Sequence, residues 1–105
     1  MEEFKMEKVI EMIETQLAKG TDFESLVYEF KQRVYDCTVS VNNIKGNGWF
    51  VVDIGVEVPD TNRMFYMGCA RERSLEGVLD FFKNEENEKI VQGYISILIR
   101  RVNEE

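Results

Sequence analysis

Twenty carboxylates, two cysteines and no histidine bound the chemistry open to this 105-residue chain. Without histidine it lacks the commonest general base, the Ser-His and Cys-His dyads, and the commonest transition-metal ligand. Cys37 and Cys69 fall on the apolar faces of alternating segments. No helix N-terminus stands beside them to lower a thiol pKa, and the nearest cation is Arg71, two residues beyond Cys69 on the same face. They read as small buried hydrophobes rather than nucleophiles. Asp53 and Glu57 share one face of a long strand, but four residues of strand separate them by ~13 Å, too far for a shared metal ion without ligands from elsewhere. Gly46-x-Gly48 lacks the third glycine and the following helix of a phosphate-binding loop. The chain is therefore expected to be no enzyme and to hold neither metal nor cofactor.

The carboxylates remain as binding groups. Glu3, Glu7, Glu11 and Glu14 recur at helical spacing along one flank of the first segment, with Lys5, Lys8 and Lys19 on the other side. Like charges at that spacing cost a few tenths of a kcal/mol per pair. The row is either a solvated edge or a ridge that meets a basic partner. Glu85, Glu86 and Glu88 open the last segment, where they complement a helix N-terminus or form an acidic surface. The net charge is -7, and the chain ends carry it. Residues 1–36 hold nine acids against five bases, residues 37–73 four against four, and residues 74–105 seven against four. Such a chain repels nucleic-acid phosphates and anionic lipid, so direct nucleic-acid or membrane binding is not expected. Arg71, Arg73, Arg100 and Arg101 are the counterweight. They could converge at one end of a sheet, to pair with acids or to take an anion.

These groups need elements to position them. Met6, Val9, Ile10, Ile13 and Leu17 recur at three- and four-residue steps, which predicts an amphipathic helix ended near Gly20. Thr21 and Glu24 have the spacing of a capping box, and Phe23, Leu26, Val27, Phe30 and Val34 supply a helical stripe, so a second helix is expected in a hairpin with the first. The period then falls to two. Cys37, Val39 and Val41 mark a strand, Lys45–Gly48 a turn, and Phe50, Val52, Ile54, Val56 and Val58 a longer strand. Pro59–Asn62 turns the chain into a third strand over about 63–71. Ser74 is placed to cap a helix carrying Leu75, Val78, Leu79 and Phe82. In the last segment Val91, Tyr94, Ile95, Leu98 and Val102 fit a helix, while Ile95, Ile97 and Ile99 also fit a strand; length and continuity favour the helix.

The expected fold is one α+β domain over residues 1–105, a three-stranded antiparallel meander with helices before and after it, in the order ααβββαα. Trp49, Val51, Met64 and Tyr66 face away from the main core stripe. Four helices could bury them as a second core; left uncovered, they would form an interface. No signal peptide is visible and the longest apolar stretch, Tyr94–Ile99, cannot span a bilayer, so a cytoplasmic protein with reduced thiols is expected.

A meander followed by two helices, with E-N-E-K-I-V-Q-G-Y-I-S at Glu86–Ser96, resembles the small acidic type II-A anti-CRISPR proteins of phages. The resemblance covers the last two thirds of the chain; the first helix has no counterpart there, and the expected sheet is electrically neutral. It implies a non-enzymatic inhibitor that engages the basic cleft of a Cas9-type nuclease by imitating DNA. Asp53, Glu57, Asp60, Glu85, Glu86 and Glu88 would then stand in for phosphates. The alternative is an assembly module that forms a homodimer through the Trp49–Met64–Tyr66 face.

Overall fold

The computed structural model describes residues 3–105. The chain runs α1 (Met6–Lys19), β1 (Ser25–Gln32), β2 (Tyr35–Ile44), β3 (Trp49–Glu57), β4 (Met64–Glu72), α2 (Leu75–Lys83) and α3 (Glu86–Asn103). It is an α+β fold with one helix, a four-stranded antiparallel sheet in the order β1-β2-β3-β4, and two closing helices.

α1 forms where the periodicity places it and buries Met6, Val9 and Ile13. The helix expected over Phe23–Val34 is a strand instead, so the sheet has four strands rather than three and there is no N-terminal helical hairpin. Leu26, Tyr28 and Phe30 alternate with Val27 and Glu29, and the first three face the core opposite Val41, Val39 and Cys37. Val27, counted in the helical stripe, is 52% exposed on the other face. Thr21 and Glu24 cap nothing. Their carbonyls accept from the side-chain amide and the backbone N–H of Asn43, which ties the start of β1 to the end of β2. Arg33–Val34 closes the β1–β2 hairpin with Arg33 at φ 57°, a left-handed position that costs a side-chain-bearing residue more than glycine.

The remaining strands follow the alternating pattern. Val39, Val41, Val52, Ile54 and Val56 are fully buried on the inner face. The β2–β3 turn uses Gly48 at φ 75°, and the β3–β4 turn holds Asp60 at φ 64°. The β3–β4 register shifts between Val52 and Asp53, where Ala70 and Gly68 are the respective partners and Cys69 is the extra residue. This bulge moves Arg71 opposite Val51, away from the core face assigned to it by simple alternation.

Ser74 caps α2 as its position implies, its hydroxyl accepting from the Gly77 N–H at 3.0 Å. Ser74→Ala should lower stability by about 1 kcal/mol, seen as a lower urea midpoint at unchanged m-value. The last segment is helical. Val91, Ile95, Leu98, Ile99 and Val102 are buried, while Ile97 points outward.

All three helices pack on the inner sheet face, where Val9, Ile13, Val78, Phe82, Val91, Ile95 and Leu98 join the strand residues in one core. With the expected second helix now a strand, nothing among the described residues covers the outer face. Val27, Ile44 and Tyr66 are exposed there, and Trp49, Val51 and Met64 are half-exposed rather than second-face core. Among the described residues no helix is long and apolar enough to cross a membrane.

Candidate functional site

The carboxylates singled out in the sequence lie on three surfaces. Asp53 and Glu57 are on the open face of β3, on the far side of the sheet from the helices. Asp60 stands in the β3–β4 turn. Glu3, Glu7, Glu11, Glu14, Glu85, Glu86 and Glu88 belong to the helical side. Four of these, Glu7 from the first turn of α1 and Glu85, Glu86 and Glu88 from the start of α3, line one groove of ≈ 630 Å³ with Lys83 and Lys89. Met6, Ile10 and Phe82 supply its apolar part.

Local chemistry explains why these groups meet. α2 ends at Lys83, and the Asn84 side-chain oxygen accepts from the Glu86 N–H at 3.1 Å. Asn87 donates its amide to the Phe81 carbonyl at 2.8 Å, fixing the corner between α2 and α3. Glu86 and Glu88 then occupy the first turn of α3, where the helix dipole favours negative charge. α1 packs beside α2, and the Lys83 ammonium lies 3.7 Å from Glu14 across that junction. Lys8 sits 3.8 Å from Glu11 rather than on a separate flank. Glu11 and Glu14 are therefore partly answered by lysines, while no ion pair engages Glu7, Glu85, Glu86 or Glu88 among the described residues. Glu3 contributes its carbonyl, which accepts from the Tyr28 hydroxyl at 3.4 Å. The apolar floor was not legible as a site, because Met6, Ile10 and Phe82 carry only the signal of a core stripe.

The open sheet face holds a second group of polar residues. The Ser25 hydroxyl donates to the Asn42 oxygen at 2.7 Å, and the Asn42 amide donates to Asp53 at 2.8 Å and to the Ser40 hydroxyl at 3.4 Å. Partial burial raises the Asp53 pKa above the usual carboxylate value, and the Asn42 hydrogen bond opposes that shift only in part. The folded state thus holds this proton to higher pH than the unfolded chain does. Stability from Asp53 is fully present below the unfolded value of about 3.9 and is lost as pH rises through the raised folded value. Asp53→Asn keeps an acceptor for Asn42 and should melt higher than the parent at pH 7 but not at pH 3. Equal melting of the two proteins at pH 7 would contradict this.

Burial pushes both thiols up to about 11, so neither Cys37 nor Cys69 is a thiolate at neutral pH. No cluster of three or more Cys, Asp or Glu side chains suited to a metal ion occurs among the described residues. The four arginines do not converge: Arg71 and Arg73 flank Trp49 on the open face, and Arg100 and Arg101 lie on α3 on the other side of the sheet. Comparisons with protein-family models, curated proteins and solved structures gave no match.

Proposed function

We propose that this protein is a non-enzymatic binding protein, an inhibitor of the small acidic type, which engages a basic surface on a nucleic-acid-handling protein through the groove between α1 and the α2–α3 corner. One observation carries the reading. Carboxylates from opposite ends of the sequence, Glu7 with Glu85, Glu86 and Glu88, line a single groove with an apolar floor. Such a groove suits a segment whose Lys or Arg side chains flank an apolar one. The floor supplies burial, and the unpaired carboxylates supply orientation and a fast, salt-sensitive encounter. The resemblance to anti-CRISPR proteins makes a Cas9-type nuclease the first partner to test, in the cytoplasm where such an enzyme works. Asp53, Glu57 and Asp60, on other surfaces, would need a partner that wraps around the sheet edge to take part.

A short amphipathic Lys-rich peptide titrated into the isotope-labelled protein provides the test. Amide shifts should concentrate at Met6, Glu7, Ile10 and Glu85–Lys89 at low salt and shrink at high salt. Shifts confined to the open sheet face, or unaffected by salt, would contradict the proposal.

A further inference from the structure

We infer that the open sheet face binds a second copy of this chain, face to face, about a two-fold axis that lies across the strands near Asp53. The face is charged at its two ends with opposite sign. At one end Arg71 and Arg73 stack on Trp49, their guanidinium carbons 4.7 and 3.7 Å from its ring. These contacts hold two cations in place beside an aromatic surface. At the other end are Glu29 and Glu57, with Asp36 3.6 Å from Lys31. Among the described residues neither arginine has a carboxylate within ion-pair distance, and neither Glu29 nor Glu57 has a cation. About six residues of strand, roughly 20 Å, divide the two groups.

A two-fold axis perpendicular to the strands and parallel to the face reverses strand direction while keeping strand order. It sets β3 over β3 and β4 over β4 with their ends exchanged, so Glu57 of one copy comes beside Trp49 and, one strand across, the arginines of the other, twice, whereas Glu29 lies over β1 of the copy, three strands from them. Tyr66 lies across Gly55, where an added Cβ would come within 2.8 Å of its ring, so the apolar ring spreads flat over the sheet. Val27, Val51 and Met64 extend that surface. Strands of 8, 10, 9 and 9 residues present on the order of 600 Å² per copy, or ~1,200 Å² in the pair, at the lower limit for a stable interface. The one like-charge meeting is Asp53 with its own copy at the axis. It falls at the depression of ≈ 410 Å³ lined by Ser40, Asn42, Asp53 and Tyr66, where there is room between the carboxyls. The groove of the helical side stays free on both outer surfaces of such a dimer, so the two surfaces can fail independently.

Sedimentation equilibrium on the full chain with a charge swap tests this arrangement. The parent should sediment as a dimer. Arg71→Glu/Arg73→Glu and Glu57→Lys should each raise the dimer Kd on the order of tenfold or more. An equimolar mixture of the two variants should recover a heterodimer, because the reversed ends are again opposite in sign. All three positions are on the open face outside the buried core, and circular-dichroism melting checks that both variants stay folded. A parent that is monomeric at high micromolar concentration, or variants whose mixture associates no better than either alone, would overturn the inference.

Discussion

Phe30→Ala should cost about 3–5 kcal/mol and lower the melting temperature on the order of 20 °C, whereas Val27→Ala should change stability by less than about 0.5 kcal/mol. Phe30 is fully buried on the inner face of β1. Its ring centroid lies 5.2 Å from that of Phe4 in an edge-on contact and 5.5 Å from that of Tyr28 in a stacked one. Truncation removes those contacts and leaves a cavity that neighbouring strands cannot collapse into. Val27 is three residues away, on the opposite face. On a helix the two side chains would share a stripe and both substitutions would be costly. Urea unfolding of the pair therefore distinguishes the strand from the helix directly, and similar losses for both would contradict the strand.

Phe82→Ala should be of comparable size, about 3–5 kcal/mol, and should act on binding as well. Phe82 is 1% exposed, packs edge-to-face against Phe81 at 5.2 Å, and helps form the groove with Met6 and Ile10. A domain of this size commonly has a total stability of about 5–15 kcal/mol, so the loss leaves a marginal fold. Phe82→Leu, which keeps most of the apolar volume, should recover much of the stability. Unfolding monitored by circular dichroism measures both variants. A Phe82→Ala protein as stable as its parent would contradict the packing of α1 against α2.

The physical reasons for what could and could not be read from the sequence lie in particular residues. α1, β2, β3 and the Ser74 cap were legible because their apolar periods are long or their capping chemistry is specific. β1 was not. Phe23, Leu26, Val27 and Phe30 satisfy a helical period, Thr21 and Glu24 mimic a capping box, and the following turn contains Arg33 rather than glycine or asparagine. The pairing that decides the segment is tertiary: it lies against β2, with Phe30 opposite Cys37. Ile95, Ile97 and Ile99 left the last segment open until burial of Leu98 and exposure of Ile97 fixed its period. The bulge at Cys69 carried no signal beyond Gly68, and it moved Arg71 to the face where it meets Trp49.

The acidic clusters were legible as composition and not as a site. Glu7 and Glu85 are distant in sequence and become neighbours only because α1 packs along α2 and the Asn84–Asn87 corner turns α3 back. The same packing puts Lys83 beside Glu14, while Lys8 stands beside Glu11 within α1 itself and strand alternation puts Asp53 and Glu57 behind the sheet, so the ten candidate carboxylates form no single surface.

Quantitative affinity capture from nuclease-treated bacterial lysate tests the proposed function most directly, with the parent compared against Glu7→Gln/Glu85→Gln/Glu86→Gln/Glu88→Gln. The expected result is a basic nucleic-acid-handling protein held by the parent at low salt, reduced at high salt, and lost from the groove variant, with direct binding of the purified pair showing the same order. Equal recovery by parent and variant, or recovery of the bait alone at low salt, would contradict the acidic groove as the functional surface.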